Sequence, residues 1–259
     1  EELNITHKLL SMLQNFESLV LVWLGLGFLT FITLLKIPAP YGKFSKTNWG
    51  PMIPSKLGWF VMEVISPLAL LYFFFKGNIE ITPTNMTFIT LWSLHYFNRS
   101  VIYPLRQNNP AKMPLLIAIL AFLFNVVNGY INGTHLGSIQ AYSIDYMSNW
   151  NFIVGVCLFI TGAYINIKSD NILLSLRSKS GEYKVPEGFM FRYVSFPNYL
   201  GEILEWMAFA IMTWSLAGLS FMIWTMANLV PRAIKGHQWY HSKFESYPKD
   251  RKAIFPFII

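Results

Sequence analysis

Residues 199–230 read YLGEILEWMAFAIMTWSLAGLSFMIWTMANLV, and this stretch carries only two charged side chains, Glu202 and Glu205. A helix needs about 20 apolar residues to cross roughly 30 Å of hydrocarbon, so the stretch is too long for one ordinary span. If it turns near Ser215–Gly218, it forms two short helices of about 24 Å each. The choice between one crossing and two decides the topology of the chain.

Composition indicates a bilayer environment. The chain has 259 residues, of which 54% are hydrophobic and only 13% are charged. Soluble domains average roughly 25% charged residues, and one of this size cannot bury so much apolar surface. The formal net charge is +7, but the basic residues lie in short stretches between apolar runs. This pattern is typical of membrane topology and argues against a nucleic-acid partner.

Five further apolar runs have lengths near that of a membrane span. With the hairpin, the predicted spans are about 18–37, 57–75, 84–98, 113–131, 150–167, 199–214 and 217–230. The sequence therefore predicts an all-α integral membrane protein: a single domain, 1–259, built as a bundle of seven transmembrane helices, followed by a tail at 231–259. We find no internal repeat or linker that would divide this domain.

The distribution of Lys and Arg predicts the orientation. Four stretches, 36–56, 99–112, 168–192 and 232–259, hold 18 of the 20 basic residues, and the other side holds only Lys8 and Lys76. Basic loops face the cytoplasm. Because 168–192 and the tail both lie on that side, the chain crosses an even number of times between them, which requires the hairpin. The N-terminus is then outside and the C-terminus cytoplasmic.

Cysteine usage and the start of the chain add little. The single cysteine, Cys157, lies in an apolar run, so no intramolecular disulfide is expected, and no Cys/His cluster has the spacing of a metal site. Residues 1–18 are polar and mixed in charge, unlike a cleaved signal peptide.

Glu63 stands inside the second apolar run, about 9 Å along the helix from its start. An ionised carboxylate there costs several kcal/mol, and such residues usually face the bundle interior. Glu63 could pair with an Arg of a neighbouring helix. Alternatively, it stays protonated and donates a hydrogen bond to a substrate carbonyl.

Further polar residues cluster near predicted helix ends. His95 and Arg99 share a helix face beside Tyr96, although Tyr and Arg are also ordinary interfacial anchors. The most densely polar region runs from 166 to 205. Within it, Asn198, Glu202 and Glu205 have the spacing of one helix face that enters the bilayer, and these polar groups need partners or a ligand. Its notable members are Asn166, Asp170, Arg177, Asn198, Glu202 and Glu205.

The tail mixes basic and aromatic residues, including Arg232, His237, Trp239 and Tyr240. It could be an amphipathic segment lying on anionic lipid, which accounts for the charges but not for the aromatics. A Rossmann domain is excluded because no Gly-rich dinucleotide motif follows a strand. Zinc proteolysis and the usual serine hydrolysis are not expected, because no HExxH or GxSxG motif occurs.

Four separated blocks resemble the steroid 5α-reductase (3-oxo-5α-steroid 4-dehydrogenase) family. They are LHYFNR at 94–99, NIKSD at 166–170, NYLGEILEW at 198–206 and FESYPKDRKAIFPFII at 244–259. The resemblance covers the chain from about Gly58 to its end. It implies a bundle of seven helices that encloses NADPH from the cytoplasmic side.

The resemblance also implies roles for individual residues. Glu63 and Tyr96 are expected to meet the 3-keto oxygen of a steroid, and Trp206 and Asn125 to line or border the substrate cavity. Gly236 stands where the family often has histidine. The residues expected around the cofactor are Asn166, Asp170, Arg177, Asn198, Glu202, Arg232, Tyr240, Arg99, Tyr183, His237 and Arg251.

The implied reaction begins with a 3-oxo-Δ4 steroid that enters from the lipid. Glu63 and Tyr96 polarise its carbonyl, hydride from NADPH reaches C5 on the α face, and C4 gains a proton. Besides this substrate and membrane lipid, no obligate protein partner is indicated.

Three other functions stay open at this point. A reductase of polyprenal or enoyl lipids would share the architecture. A membrane methyltransferase would bind S-adenosylmethionine instead of NADPH. A transporter or lipid-binding scaffold is a third alternative, although no duplicated half is visible. The sequence does not distinguish a bacterial inner membrane from the endoplasmic reticulum.

Overall fold

The computed structural model describes residues 2–107, 111–176 and 183–259. Long helices dominate these residues. In chain order the α-helices are α1 Glu2–Lys36, α2 Ser55–Phe75, α3 Pro83–Phe97, the single turn α4 Tyr103–Arg106, α5 Leu115–Thr134, α6 Trp150–Leu176, α7 Pro197–Thr213 and α8 Leu216–Lys243.

Four of the described helical segments are long and apolar enough to cross a bilayer. They are Leu13–Lys36, Ser55–Phe75, Leu115–Ile139 and Trp150–Leu176. The predicted all-α membrane protein is thereby confirmed. The helices α3 and α7 have 15 and 17 residues, and α8 carries Arg232 and Lys235 in its second half. The total of seven spans and the orientation of the termini stay predictions.

The region 199–230 is divided between two helices. α7 ends at Thr213, and Trp214 adopts left-handed backbone angles (φ 46°, ψ 46°) that stop the helix. The Ser215 hydroxyl then accepts a hydrogen bond from the Gly218 amide at 3.0 Å and caps the start of α8. The chain thus reverses direction at residues 214 and 215, at the start of the predicted turn.

Helix α8 does not end at residue 230, where the apolar run ends. It continues through Pro231 to Lys243, so the first half of the predicted tail is helical. Similarly, α6 extends past the predicted end at 167 to Leu176, and α1 begins at Glu2 rather than near 18. Hydropathy marks only the lipid-facing part of a helix, whereas its backbone hydrogen bonds continue beyond the lipid.

A short antiparallel ribbon joins two of the basic loops. Strand β1, Met52–Pro54, pairs with strand β2, Lys112–Pro114, and Ile53 lies opposite Met113. The sequence did not predict these strands because each has only three residues. The pairing brings the loops before α2 and α5 to the same end of the bundle.

Glycines allow two helix pairs to approach closely. A Cβ at Gly133 of α5 would lie 2.6 Å from the Leu70 carbonyl oxygen of α2. In the same way, a Cβ at Gly155 of α6 would lie 2.5 Å from Met212 Cβ of α7. Small residues at such contacts let membrane helices pack backbone to backbone.

The outer surface is apolar and the centre is aromatic. On α1, Leu21, Val22, Phe28 and Leu29 are each at least 60% exposed. Such a surface suits lipid contact, where it has no cost. The core instead packs buried aromatic rings from α3, α6, α7 and α8 against one another, and Trp92 stacks on Phe221 at 4.6 Å.

We expect Gly155→Ala to destabilise the protein by about 1–3 kcal/mol because the added methyl has no room between α6 and α7. The matched control is Gly25→Ala, since a Cβ at Gly25 meets nothing within 4 Å. That change should be neutral or slightly stabilising through helix propensity. Thermal unfolding of both variants in detergent checks this, and equal melting temperatures would contradict the close packing.

Candidate functional site

A buried ion-pair cluster connects three helices at the end of the bundle that carries the ribbon. Arg99 Nη1 donates to Asp170 Oδ2 at 3.1 Å, and its Nη2 lies 3.7 Å from Glu202 Oε2. Asn198 Nδ2 donates to the other oxygen of Asp170 at 3.0 Å. Arg99 is only 7% exposed, and a charge so deeply buried persists only when it is paired.

Arg99 owes its position to a π-helical turn. After α3 the backbone winds as a π-helix from Asn98 to Ile102 before α4 begins. Such turns are rare in proteins, and those that do occur are often found at functional sites. The guanidinium lies over two aromatic rings, 5.0 Å from the centre of Trp59 and 5.1 Å from that of Tyr103.

A cavity of about 180 Å³ lies against this cluster. Among the described residues that line it, none is acidic and five are basic. The basic ones are Lys43, Arg99, Lys112, Lys184 and Arg232. A cleft lined by one sign of charge favours anionic ligands. Tyr183, Asn198, Tyr199 and Tyr240 also line it.

Several buried polar atoms beside the cluster have hydrogen-bonding capacity that the described residues do not use. Asn166 Nδ2 donates to the Asn198 backbone carbonyl at 2.9 Å. The Oδ1 atoms of both asparagines and the Ser169 hydroxyl have no protein partner in the described part of the chain. Buried acceptors without a partner are costly, which indicates that a ligand or water normally satisfies them. These atoms and the basic lining fit the amide, amine and phosphate groups of a dinucleotide.

Arg232 holds the loop that precedes α2 against the cavity. Its Nε donates to the Tyr199 hydroxyl at 3.0 Å, and Nη2 donates to the Tyr41 carbonyl at 3.0 Å. The guanidinium also stacks on the Tyr41 ring, 3.6 Å from its centre. Next to it, Lys43 Nζ lies between 4.3 and 4.7 Å from three ring centres, those of Phe196, Trp239 and Tyr240.

The C-terminal segment packs beside the cavity and is called the tail layer below. Ser195 Oγ is 2.6 Å from both His237 Nδ1 and the Tyr247 hydroxyl. Arg251 Nη1 donates to the Pro186 carbonyl at 3.1 Å. Neither His237 nor Arg251 lines the cavity, although Tyr240 stacks on Tyr247 at 5.1 Å and links the two layers. Both residues therefore hold the tail in place next to the cavity.

Deeper in the bundle lies a polar group within apolar surroundings. The Tyr96 hydroxyl donates to Asn125 Oδ1 at 3.3 Å, and Asn125 Nδ2 donates to the Met62 carbonyl at 2.6 Å. The Glu63 carboxyl is adjacent to the Asn125 amide. It is also close enough to Arg99 and Glu202 to interact with their charges. Glu63 thus turns toward the bundle rather than toward lipid. Asn125 ties Tyr96 to the helix that carries Glu63.

Trp206 lies beneath this group, only 1% exposed. Its ring contacts those of Trp92, Tyr96 and Phe221 at 4.9, 5.7 and 4.5 Å between centres. The predicted site residues therefore fall into an inner group (Glu63, Tyr96, Asn125 and Trp206), an outer group around Arg99 and the cavity, and the tail layer. Arg177 lies outside the described residues.

The sequence prediction missed two features. His95 Nδ1 lies 2.8 Å from Glu205 Oε2, with both side chains buried. Local spacing groups residue 95 with 99 and residue 202 with 205 on common helix faces, but it does not show which two faces meet. No comparable signal identified Lys43, because its aromatic neighbours come from distant parts of the chain.

The tail layer should make stability depend on pH. Burial, reinforced by the nearby His241, Arg251 and Lys252, lowers the pKa of His237 from 6.5 to about 4. Between these values the unfolded chain binds a proton that the folded protein excludes. Stability should therefore fall as the pH drops from about 6.5 to about 4.

In His237→Gln this loss should be smaller, and in the surface control Lys249→Gln it should equal that of the parent. Melting temperatures measured across this pH range give the comparison. If the melting temperature depends on pH in the same way for the parent and for His237→Gln, the fold does not keep the His237 ring neutral.

Comparisons with known proteins identify the family of this chain. A family model described as 3-oxo-5-alpha-steroid 4-dehydrogenase matches residues 111–259. "Steroid 5-alpha-reductase DET2" of Arabidopsis thaliana is 43% identical over 241 residues, which cover 88% of this chain and 91% of that protein.

Mammalian proteins match over similar lengths. "3-oxo-5-alpha-steroid 4-dehydrogenase 1" of Rattus norvegicus is 37% identical over 244 residues, 90% of this chain and 92% of the relative. The Homo sapiens protein of the same name is 37% identical over 223 residues, with coverages of 84% and 85%. At these identities and coverages, the chain belongs to the 3-oxo-5-alpha-steroid 4-dehydrogenase family, the steroid 5α-reductases.

Proposed function

We propose that this protein reduces the Δ4 double bond of 3-oxo-Δ4 steroids to 5α-products with NADPH. The observation that carries the proposal is the juxtaposition of Glu63, Asn125 and Tyr96 in apolar surroundings, close to Arg99, which lines the basic cavity. The inner group suits the carbonyl of a lipid-soluble ketone, and the basic cavity suits an anionic dinucleotide. A reductase that joins these two reagents needs both.

The inner group would bind and polarise the substrate carbonyl. Tyr96 and a protonated Glu63 can each donate a hydrogen bond to it, and the Tyr96 hydroxyl, which here donates to Asn125 Oδ1 at 3.3 Å, would turn to the substrate oxygen. In a medium of low dielectric constant such donors are stronger than in water, and they need no reorganisation when charge develops on the oxygen. Trp206 and the surrounding rings would exclude water and hold the apolar skeleton.

The outer group would bind the cofactor. NADPH, when bound, supplies the hydride that C5 of the substrate receives. Basic side chains of the cavity would neutralise its phosphates, and the free Oδ1 atoms of Asn166 and Asn198 would accept hydrogen bonds. We assign to this binding Asn166, Asp170, Asn198, Glu202, Arg232, Tyr240, Arg99 and Tyr183, with His237 and Arg251 as supports and Arg177 beyond the described residues.

Access to the cavity requires movement of the loop around Tyr41. The cavity of about 180 Å³ is smaller than the roughly 300 Å³ of a typical small-molecule pocket. Tyr41 and Lys43 fill the adjoining space. A whole dinucleotide would therefore displace this segment.

The membrane arrangement belongs to the same proposal. We place α1, α2, α3, α5, α6, α7 and the first half of α8 as seven spans of one domain, 1–259, with the N-terminus outside and the C-terminus cytoplasmic. Pairing of β1 with β2 and the contact of Arg232 with the Tyr41 carbonyl support one common side for the basic loops. The steroid and lipid are the expected partners, in a bacterial inner membrane or the endoplasmic reticulum.

We expect Glu63→Gln to lower kcat with progesterone by about 100-fold or more while cofactor retention changes little. The amide keeps the size of the side chain but cannot act as an acid. The assay follows NADPH consumption and the 5α configuration of the product, and bound nucleotide is measured separately. Exposed Glu80 supplies the matched control, and Glu80→Gln should behave as the parent does.

The proposal fails at two distinguishable points. A parent protein that consumes NADPH with a polyprenal and ignores Δ4-3-ketosteroids has a different substrate. A Glu63→Gln variant that reduces progesterone at the parent rate leaves the reaction in place but removes Glu63 from it.

Orientation can be tested with single cysteines in a Cys157→Ser background. A membrane-impermeant maleimide added to sealed, cytoplasmic-side-out vesicles should label Lys249→Cys, in the tail, and spare Glu80→Cys, in the loop between α2 and α3. The reverse pattern would show that the topology is inverted. Labelling of both positions would place them on the same side, so that the number of crossings between them would be even and the proposed set of spans wrong.

A further inference from the structure

The His95–Glu205 contact is a buried polar link between α3 and α7. It joins His95 Nδ1 to Glu205 Oε2 at 2.8 Å, with the side chains 4% and 2% exposed. One helical turn closer to the cavity, Arg99 meets Glu202 at 3.7 Å. The first link is nearly dry, whereas the second borders the cavity that lies toward the cytoplasmic loops.

The proposed reaction consumes one proton in each turnover. Hydride forms the new C5–H bond, the π electrons of C4=C5 move to form the C3 enolate, and a proton must form the C4–H bond. The dry interior around Trp206 has no free access for water. The proton must therefore arrive through side chains or isolated water molecules.

His95 lies among the groups that could carry it. The titratable and charged residues that face it are Glu63 on α2, Tyr96 on α3, Arg99 in the π-helical turn, and Glu202 and Glu205 on α7. Its ring also packs edge-on against Trp206, 4.7 Å between centres. His95 is thus between the charged outer group and the uncharged inner group.

Each side chain of the pair has one polar atom that their mutual hydrogen bond does not use and that could transfer a proton. Among the described residues, Glu205 is the hydrogen-bond partner of His95, and it uses Nδ1, so Nε2 can exchange a proton elsewhere. Glu205 Oε1 is buried with no partner in the described chain. A bare carboxylate oxygen at such a place is costly, which indicates that a proton or a water molecule occupies it at some stage.

We infer that the His95–Glu205 pair is the internal proton relay of this reductase, an inference that rests on the proposed function. Glu63, the donor at the carbonyl, gives up the proton that ends in the C4–H bond. An N–H bond of the pair breaks to protonate Glu63 again, and the pair recovers its proton from the cavity side, past Glu202. His95 and Glu205 touch neither substrate nor cofactor, so they are positioning residues that act through Glu63.

Glu205→Gln is the decisive variant because it keeps the size of the side chain and an oxygen that accepts from His95 Nδ1, but cannot exchange the proton. We expect kcat for progesterone to fall about 100-fold with KM changed less than about twofold, and its dependence on pH to flatten. Glu205→Asp, which restores a titratable carboxyl, should recover part of kcat. The matched control for His95→Gln is His135→Gln, directly after α5, where His135 Nε2 lies within hydrogen-bonding distance of the Tyr142 hydroxyl, at 3.0 Å.

A second measurement needs no turnover. Protonation of an imidazole in contact with an indole quenches its fluorescence, so the tryptophan emission of the protein without cofactor should change with pH through Trp206. This change should persist in His135→Gln and disappear in His95→Gln. An emission that stays flat between pH 5 and 9 in the unmodified protein would overturn the relay, even if no variant folds.

Normal kcat and an unchanged pH profile in Glu205→Gln would likewise overturn the relay. So would equal losses in Glu205→Gln and Glu205→Asp, since these indicate a purely structural contact. Absence of steroid reduction in the unmodified protein is a different result, because it removes the proposed function itself.

Discussion

A single buried guanidinium, that of Arg99, organises the polar half of this bundle. It neutralises Asp170 and approaches Glu202, and so joins α3 to α6 and α7. Asp170 in turn orients Asn198, whose carbonyl orients Asn166. Removing the guanidinium would leave two carboxylates uncompensated in a region of low dielectric constant, typically a loss of about 3–5 kcal/mol. The positions of Asn198 and Asn166 beside the cavity thus depend on this one charge.

The interior is graded from charged to uncharged groups over a few turns of helix. At the cavity, charges are balanced by ion pairs and by aromatic rings such as Trp59. Farther in, the described residues form neutral hydrogen bonds such as that from Tyr96 to Asn125, and the His95–Glu205 contact lies between the two regions. This order follows from electrostatics, because the cost of an unpaired charge rises with distance from water.

Much of this could be predicted from the sequence. Apolar run length located the helices, and an acidic residue inside such a run singled out Glu63. The end of α8 was missed because Arg232 and Lys235 look like loop residues, although helical hydrogen bonding continues past them. The His95–Glu205 contact could not be predicted because it depends on how α3 and α7 are oriented about their axes. The three aromatic rings around Lys43 come from distant parts of the chain, so local spacing does not indicate them either.

One of the inner helices is shorter than the membrane is thick. At 17 residues, α7 extends about 26 Å, less than the roughly 30 Å of hydrocarbon. In the arrangement proposed above, the polar end of the bundle would lie below the lipid headgroups, so that a steroid dissolved in the bilayer and a water-soluble nucleotide could meet without either leaving its own phase. For such an arrangement the effective substrate concentration is set by partitioning into the bilayer, and apparent Michaelis constants scale with the amount of lipid in the assay.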